Sequence, residues 1–242
     1  MLSVDLHSHS FFSNCGVNSC IEMLTEAKRR GLKALAITDH GPILKGRISE
    51  SFFKRMDNYP VDGIRLIKGL ELNPINDQGE TDCPLSLLSY LDIVLLGLHE
   101  NIDKSLSENE HTEIIEASIN RNRYIDIITH PDQPPFKVNF NRLARCASER
   151  GIAIEINNSK LARDITPLES AEALIKACKE NRCRIAVNSD AHSVSEIGLD
   201  SAASALLSRL GFPDELIVNR TLETTISFIE ERRNNKTVGV SR

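Results

Sequence analysis

Short apolar runs alternate with longer amphipathic stretches along the whole chain. Each run has four to seven residues, and most are rich in Val, Ile and Leu. The runs cover residues 3–6, 34–37, 64–70, 93–98, 125–128, 152–156 and 184–187. Runs of this length without a polar face are typical of strands buried on both faces of a parallel sheet. The pattern therefore predicts seven buried strands.

Helical periodicity fills most of the intervals between these runs. The helical patterns cover residues 19–30, 49–58, 109–120, 139–150, 167–180, 201–210 and 222–233. Gly31 and Gly151 follow helices that end in basic residues, and glycine adopts the left-handed conformation of a helix end without steric cost. The alternation predicts βαβ units joined by right-handed crossovers.

The simplest closure of seven such units is an α/β barrel, and we predict a single domain over residues 1–242. No linker, repeat or low-complexity segment divides the chain. The pattern of strands and helices is also compatible with an open, doubly wound sheet, which is the alternative topology. Residues 73–84 lie outside the alternation, and we interpret them as a short hairpin within the domain.

Six of the seven histidines come just after an apolar run. They are His7, His9, His40, His99, His130 and His192. Glu71 and Asp190 occupy equivalent positions. In a parallel barrel these positions meet at the C-terminal rim of the strands, where active sites are built. His111 lies elsewhere, at the start of a helix, and we interpret it as a solvated polar residue.

This concentration of histidines favours a metal centre. A single histidine at a strand end is most often a hydrogen-bonded rim residue, but packing does not explain six over five strand ends. His7 and His9 are two residues apart on an extended segment, so both side chains leave the same face. Imidazoles with one or two carboxylates suit zinc, manganese or iron. The donors suffice for two or three ions, which can clamp a phosphoryl group between them.

Other chemistries have less support in the sequence. The chain contains no G-x-S-x-G elbow, P-loop or dinucleotide fingerprint, and Gly69 and Gly97 are isolated. A nucleophilic Cys-His pair built on Cys15 would leave five histidines unexplained.

The composition is typical of a soluble globular protein, with 40% apolar and 26% charged residues. A net charge of −5 disfavours binding of extended nucleic acid but does not bear on a small phosphate ester. No window approaches the ~20 apolar residues of a membrane span, and no targeting segment is visible. The six cysteines form no C-x-x-C pair, so we expect reduced thiols in a cytoplasmic protein.

Six segments in order, DLHSHS, ITDHG, GLELN, LLGLHE, ITHPD and NSDAH, resemble the PHP (polymerase and histidinol phosphatase) family. The segments GETDC at 79–83 and EINNS at 155–159 resemble its YcdX-like phosphatase branch. The resemblance extends from residue 5 to about residue 198. It implies a distorted (β/α)7 barrel with a trinuclear metal site, often containing zinc, that hydrolyses phosphate esters.

The resemblance also implies which residues bind each ion. The sets are His7, His9, Glu71 and Asp190 for the first ion; Glu71, His99 and His130 for the second; and His40, His192 and a ligand from the loop after His9 for the third. This branch commonly has a histidine at the loop position, where this chain has Cys15. A thiolate suits zinc and is a poor ligand for manganese. We therefore expect three divalent ions, with zinc favoured over manganese or iron.

The sequence thus predicts a metal-dependent phosphatase for small phosphorylated substrates. A hydroxide bridging two ions would attack phosphorus in line, with Glu71, Asp190 and His192 at the catalytic centre. We expect Asp39 to orient a ligand, and Lys160 and Arg163 to contact the substrate phosphate.

Three alternatives remain: a histidinol phosphatase, a PHP-type nuclease acting on 3′ ends, and a non-catalytic PHP-like binding module. Substrate specificity would lie in the rim loops 42–50, 102–108 and 133–138, and the composition of these loops does not indicate a particular substrate. The sequence does not determine the oligomeric state.

Overall fold

The computed structural model describes residues 2–58 and 60–237 and contains one sheet of seven parallel strands. The strands are β1 Val4–Asp5, β2 Ala34–Ile37, β3 Arg65–Leu72, β4 Ile93–Leu96, β5 Ile127–Ile128, β6 Ala153–Asn157 and β7 Ile185–Asn188. Each strand pairs in parallel with the next one in the chain. All seven predicted strands are present, and their sequential order excludes the doubly wound alternative.

Helices follow the strands as the sequence predicts, with one addition. They are α1 Cys20–Arg29, α2 Glu50–Met56, α3 Glu108–Arg121, α4 Phe140–Glu149, α5 Asn158–Ala162, α6 Leu168–Glu180, α7 Ser201–Arg209 and α8 Leu222–Thr237. The addition is α5, whose five residues are too few to show helical periodicity. Ser19 begins α1 with a capping box, in which its hydroxyl and the Glu22 carboxylate each accept a backbone N–H from the other residue.

Two apolar layers surround the sheet. Alternate residues of each strand face opposite sides, so Leu35 and Ile37 pack outward against the helices while Ala34 and Ala36 face inward. The inward cluster contains residues from all seven strands, which identifies it as the barrel interior. Phe228 of α8 joins that cluster, so α8 packs against the N-terminal end of the barrel.

The gap between β7 and β1 is closed by loop backbone and by polar side chains, which include Asp5, Asn188 and Asn219. Beyond the strand ends, Ser8 and Ala191 form a parallel bridge. At the other end of the gap, the fully buried Asn219 donates its amide N–H groups to the carbonyls of Val4 at 3.0 Å and Val187 at 2.6 Å. Its amide oxygen accepts the Val187 N–H at 3.0 Å. The sheet is therefore a nearly closed, distorted (β/α)7 barrel.

Two smaller features complete the fold. Residues 73–84 form a short hairpin with one antiparallel bridge, Pro74 to Thr81. His111 is fully buried, so the interpretation of it as a solvated residue is wrong. Its ring packs edge-on against Phe136, and its Nε2 hydrogen-bonds the Asp103 carbonyl at 3.0 Å. Among the described helices, none is both long enough and apolar enough to cross a membrane.

We expect Asn219→Ala to lower the free energy of unfolding by about 2–4 kcal/mol, because it leaves buried backbone groups of β1 and β7 without partners. Urea denaturation measures this change. The exposed Asn120 on α3 provides a control, and its replacement with alanine should shift stability by less than about 0.5 kcal/mol. Equal stability of the two variants would contradict this role for Asn219.

Candidate metal centre

The nine side chains predicted to bind metal all lie together at the C-terminal ends of the strands. They fall into four overlapping groups, and the donor atoms of each group lie within 4.8 Å of one another. The groups are His9, Cys15, His40 and His192; His7, His130 and Asp190; His7, His9 and Glu71; and His40, Glu71 and His99. These groups overlap more than the three predicted sets, so the division of ligands among individual ions stays a prediction.

Strand geometry and unusual backbone conformations direct these side chains inward. His130 and Asp190 have positive φ angles of 30° and 51°, a region that residues other than glycine adopt rarely. The His130 backbone N–H is held there by Glu155, at 3.0 Å. Gly97 leaves necessary space, because a Cβ on it would lie 2.4 Å from Thr129 Oγ1.

Glu71 lies at the middle of the cluster and is fully buried. Its Oε1 lies 3.1 Å from His130 Nε2 and 3.4 Å from His99 Nε2. Its Oε2 lies 3.0 Å from His40 Nδ1 and 3.4 Å from His7 Nε2. The two oxygens of one carboxylate therefore face different sets of imidazoles, which is the geometry of a ligand shared between two cations.

Acceptors behind two of the imidazoles orient their free nitrogens toward the cluster. His7 Nδ1 lies 2.7 Å from Glu155 Oε1, and His192 Nδ1 lies 2.9 Å from the Asp190 carbonyl oxygen. Since these partners can only accept, Nδ1 carries the proton and Nε2 faces the site. Metal-binding histidines are usually held in this way.

Sequence reasoning missed Glu155, Ser13 and Asn73, which support the ligands from behind. Glu155 contacts His7, and the side-chain N–H groups of Asn157 and Asn188 donate to its carboxylate at 3.0 and 2.8 Å. A glutamate between two isoleucines in the buried strand β6 was the signal that could have identified Glu155. Ser13 and Asn73 carry no comparable signal. Their hydrogen bonds to ligand imidazoles, of 2.8 and 2.7 Å, depend on tertiary contacts.

The raised pKa values of two imidazoles indicate that the buried carboxylates of the cluster attract positive charge. Burial disfavours the imidazolium form of His7, but neighbouring carboxylates, Glu155 foremost, raise its pKa well above the usual value. Burial likewise opposes charge on His40, yet the neighbouring Cys15 and Glu71 side chains raise its pKa to about 10. Divalent cations would displace such protons.

The donor atoms themselves fit a cation. His40 Nδ1 and Glu71 Oε2 are buried and make no hydrogen bond among the described residues, although they lie 3.0 Å apart. Buried polar atoms without partners are costly. A bound divalent ion would satisfy both, so this donor set fits the expected metals.

Cys15 lies in the same donor group as His40 and His192, at the exposed edge of the cluster. Partial burial raises the pKa of its thiol, but hydrogen bonds with His192 and His40 outweigh that effect and lower the pKa to about 6. A thiol with this pKa is largely thiolate at neutral pH, the form that binds zinc.

The remaining predicted residues lie at different distances from the cluster. Asp39 accepts hydrogen bonds from the Ser10 backbone N–H at 2.6 Å and hydroxyl at 2.7 Å, so it holds the loop after His9 and contacts no imidazole through these bonds. Lys160 Nζ lies 3.1 Å from Asp190 Oδ2, at the cluster itself.

Arg163 lies at the edge of the site, half exposed, and pairs with the carboxylate of Glu196. The other oxygen of Glu196 accepts the His192 backbone N–H at 2.7 Å. Arg163 therefore supports the loop that carries His192. The roles of Lys160 and Arg163 toward a substrate stay predictions.

A cleft of about 380 Å³ opens beside the cluster. Each of the three predicted rim loops contributes to its wall, through Leu44, Lys104 and Phe136. Its other lining residues are Ser13, Asn14, Cys15, His40, Leu98, His99, Glu100, Gln133 and Pro135. The cleft therefore connects the metal-binding groups with the loops in which specificity is expected.

Comparison with known proteins yields consistent matches. The model of the PHP domain matches residues 5–159. A probable phosphatase from Caldicellulosiruptor bescii is 36% identical over 231 residues, which cover 95% of this chain and 96% of that protein. A probable phosphatase from Caldicellulosiruptor saccharolyticus is 34% identical over 236 residues, covering 97% and 98% of the two chains.

A solved structure has a similar fold. It is the histidinol phosphate phosphatase HisK from Lactococcus lactis, crystallised with zinc, L-histidinol and phosphate. The TM-score is 0.66 with 18% identity, over 87% of this chain and 94% of that chain. At this identity the likeness shows a shared fold.

In metal-free protein, we expect iodoacetamide to alkylate Cys15 at a rate that rises as the pH passes about 6. The thiol has its pKa lowered to about that value, and the thiolate that forms above it is the reactive species. Peptide mass spectrometry follows the reaction, and Cys146, whose pKa is raised by burial, serves as the internal control. His192→Ala should move the midpoint upward. A wild-type midpoint near the ordinary thiol value of about 8.5 would contradict the expected contacts.

Proposed function

The chain belongs to the PHP domain family and is a phosphoric-ester hydrolase, and we propose that it hydrolyses small phosphate monoesters at a trinuclear metal centre. The observation that carries the proposal is the convergence of nine donor groups around the Glu71 carboxylate. That number exceeds the four ligands of one tetrahedral ion. The two oxygens of Glu71 face different imidazoles, which supports a pair of adjacent ions.

We assign the ligands to three ions as the family resemblance implies. The proposed sets are His7, His9, Glu71 and Asp190; Glu71, His99 and His130; and His40, His192 and Cys15. Imidazole and thiolate donors favour zinc, because manganese is a harder ion with low affinity for sulfur. The depressed pKa of Cys15 supports its assignment to the third ion.

Divalent ions at such a centre neutralise phosphate oxygens and lower the pKa of a water molecule, so that it can attack phosphorus at neutral pH. The protein residues supply the remaining requirements. Glu71 and Asp190 stay ionised, since nearby imidazoles lower the pKa of each carboxyl although burial raises it. Lys160, beside Asp190, places a further positive charge where a phosphate would bind.

The exposure of the imidazoles indicates the side from which a substrate enters. The side chain of His192 is 36% exposed, whereas that of His7 is fully buried. A phosphate group would therefore approach past His192 and Cys15, and His192 would contact it directly. The adjoining cleft, at about 380 Å³, accommodates the alcohol part of a small ester.

The proposed function predicts a restricted set of substrates. With zinc present, we expect turnover of some nucleoside monophosphates, sugar phosphates or histidinol phosphate, and none of short oligonucleotides. Release of inorganic phosphate measures turnover, and gel electrophoresis detects nuclease activity. Selective turnover of histidinol phosphate would identify a histidinol phosphatase. Oligonucleotide cleavage alone, or no turnover with metal bound, would overturn the proposal.

We expect the double variant His7→Ala, His9→Ala to lose bound metal and phosphatase activity together, because two ligands of the first ion are removed. Elemental analysis and phosphate release are the measurements. His111→Gln, which changes a histidine outside the cluster, is the control and should keep its metal. Full metal-dependent turnover by the folded double variant would exclude this site.

Cys15→Ser should reduce the metal content from three equivalents to two, because a hydroxyl binds zinc far more weakly than a thiolate. Elemental analysis of the purified proteins tests this. Cys20→Ser, five residues along in α1, is the matched control. An unchanged metal content in Cys15→Ser would remove Cys15 from the centre.

A further inference from the structure

The hairpin at 73–84 contributes a carboxylate, Asp82, that links two loops of the metal centre. Its Oδ1 accepts the Asn73 backbone N–H at 2.8 Å. Its Oδ2 accepts the Asn73 side-chain N–H at 3.0 Å and the Ile43 backbone N–H at 3.1 Å. The Asp82 N–H donates to the Asn73 carbonyl at 3.0 Å, which closes the base of the hairpin. Asp82 therefore joins the segment after Glu71 to the loop after His40.

A glycine allows this close approach. A Cβ on Gly41 would lie 2.3 Å from Asp82 Oδ2, so a larger residue at that position would displace the carboxylate. The Gly41 N–H also donates to the Glu71 carbonyl at 2.8 Å. The segments ITDHG, GLELN and GETDC thus meet at the Asp82 carboxylate. The first two segments contribute the proposed ligands His40 and Glu71, and the third contributes Asp82, which holds the other two together.

The carboxylate determines how the Asn73 amide is oriented. Asn73 is fully buried, with its side chain between Asp82 and His99. A carboxylate only accepts hydrogen bonds, so the amide NH₂ must face Asp82 and the amide oxygen must face His99. That oxygen lies 2.7 Å from His99 Nδ1. The hydrogen-bond network therefore leaves one orientation for this amide.

The orientation of the amide in turn places the proton of His99. The amide oxygen accepts only from an N–H, which puts that proton on Nδ1. The lone pair is then on Nε2, 3.4 Å from Glu71 Oε1, where a cation would bind.

We propose that Asp82 is a positioning residue that sets the tautomer of His99 through the Asn73 amide, and so keeps His99 able to bind metal. The metal part of this inference rests on the proposed function, in which His99 is a ligand. The tautomer does not depend on metal and is measured in metal-free protein. The two proposals can therefore fail separately.

The test is Asp82→Asn, which keeps the shape of the side chain and replaces one acceptor with a donor. We expect the remaining oxygen to keep the shorter bond, that from the Asn73 backbone N–H at 2.8 Å, so that the new NH₂ takes the place of Oδ2. There it turns the Asn73 amide so that its own NH₂ faces His99 Nδ1. His99 must then carry its proton on Nε2, the tautomer that does not bind metal there. Nitrogen-15 NMR of the histidine side chains, at about pH 8 and thus above the ordinary imidazole pKa, distinguishes the tautomers. His111, whose Nε2 faces the Asp103 carbonyl, is an internal reference for an Nε2-protonated ring.

We expect wild-type His99 to be protonated at Nδ1 and the variant at Nε2, with zinc affinity lowered roughly 10- to 100-fold in a chelator competition. Asp92→Asn is the matched control, because Asp92 also accepts a strand N–H, that of Lys68 at 2.9 Å, at the opposite end of the barrel. It should change neither the tautomer nor the affinity.

Three results would overturn the inference. One is a wild-type His99 protonated at Nε2, which needs no variant to observe. Another is a folded Asp82→Asn protein whose His99 stays protonated at Nδ1, whether or not its affinity falls. The third is a change of tautomer that leaves the zinc affinity of the wild type intact. A wild-type protein that binds no zinc would count against the proposed function, and the tautomers would still decide the role of Asp82.

Discussion

The fully buried carboxylate of Glu71 is the group on which the organisation of this centre depends. A charge removed from water is strongly destabilising unless opposite charges surround it. Here five imidazoles lie within 3.5 Å of its two oxygens, and they belong to the loops after four different strands. The electrostatic requirement of one side chain thus draws together segments that are far apart in the sequence. The same requirement makes the site suitable for cations.

Barrel closure makes this arrangement possible. His7 and His9 follow the first strand, whereas Asp190 and His192 follow the last. They meet because the Ser8–Ala191 bridge and the buried amide of Asn219 join the two edges of the sheet. An open sheet would leave these ligands at opposite edges. The stability of the seam and the integrity of the centre are therefore coupled, although Asn219 contacts no ligand through these hydrogen bonds.

Several ligand imidazoles also depend on a partner behind them, and these partners differ in kind. A carboxylate holds His7, a carbonyl holds His192 and an amide contacts His99. The rim loops have a separate role, because they line the cleft while most of the ligands come from the strand ends. Cys15, His40 and His99 line the cleft and belong to donor groups as well. A substrate in the cleft would therefore contact the centre at these three side chains.

The sequence alone determined the strands, most of the helices and the group of histidines, because these depend on local periodicity and on the rule that parallel strand ends meet at one rim. It also indicated Cys15, which stands at an expected ligand position. It did not reveal α5, the burial of His111 or the partners Glu155, Ser13 and Asn73. The roles of Glu155 and Asn73 depend on contacts between residues distant in the chain, such as His7 with Glu155, 148 positions apart. Only the tertiary structure decided them, because a hydrogen bond between distant residues is set by the relative placement of strands and loops, which no local pattern encodes.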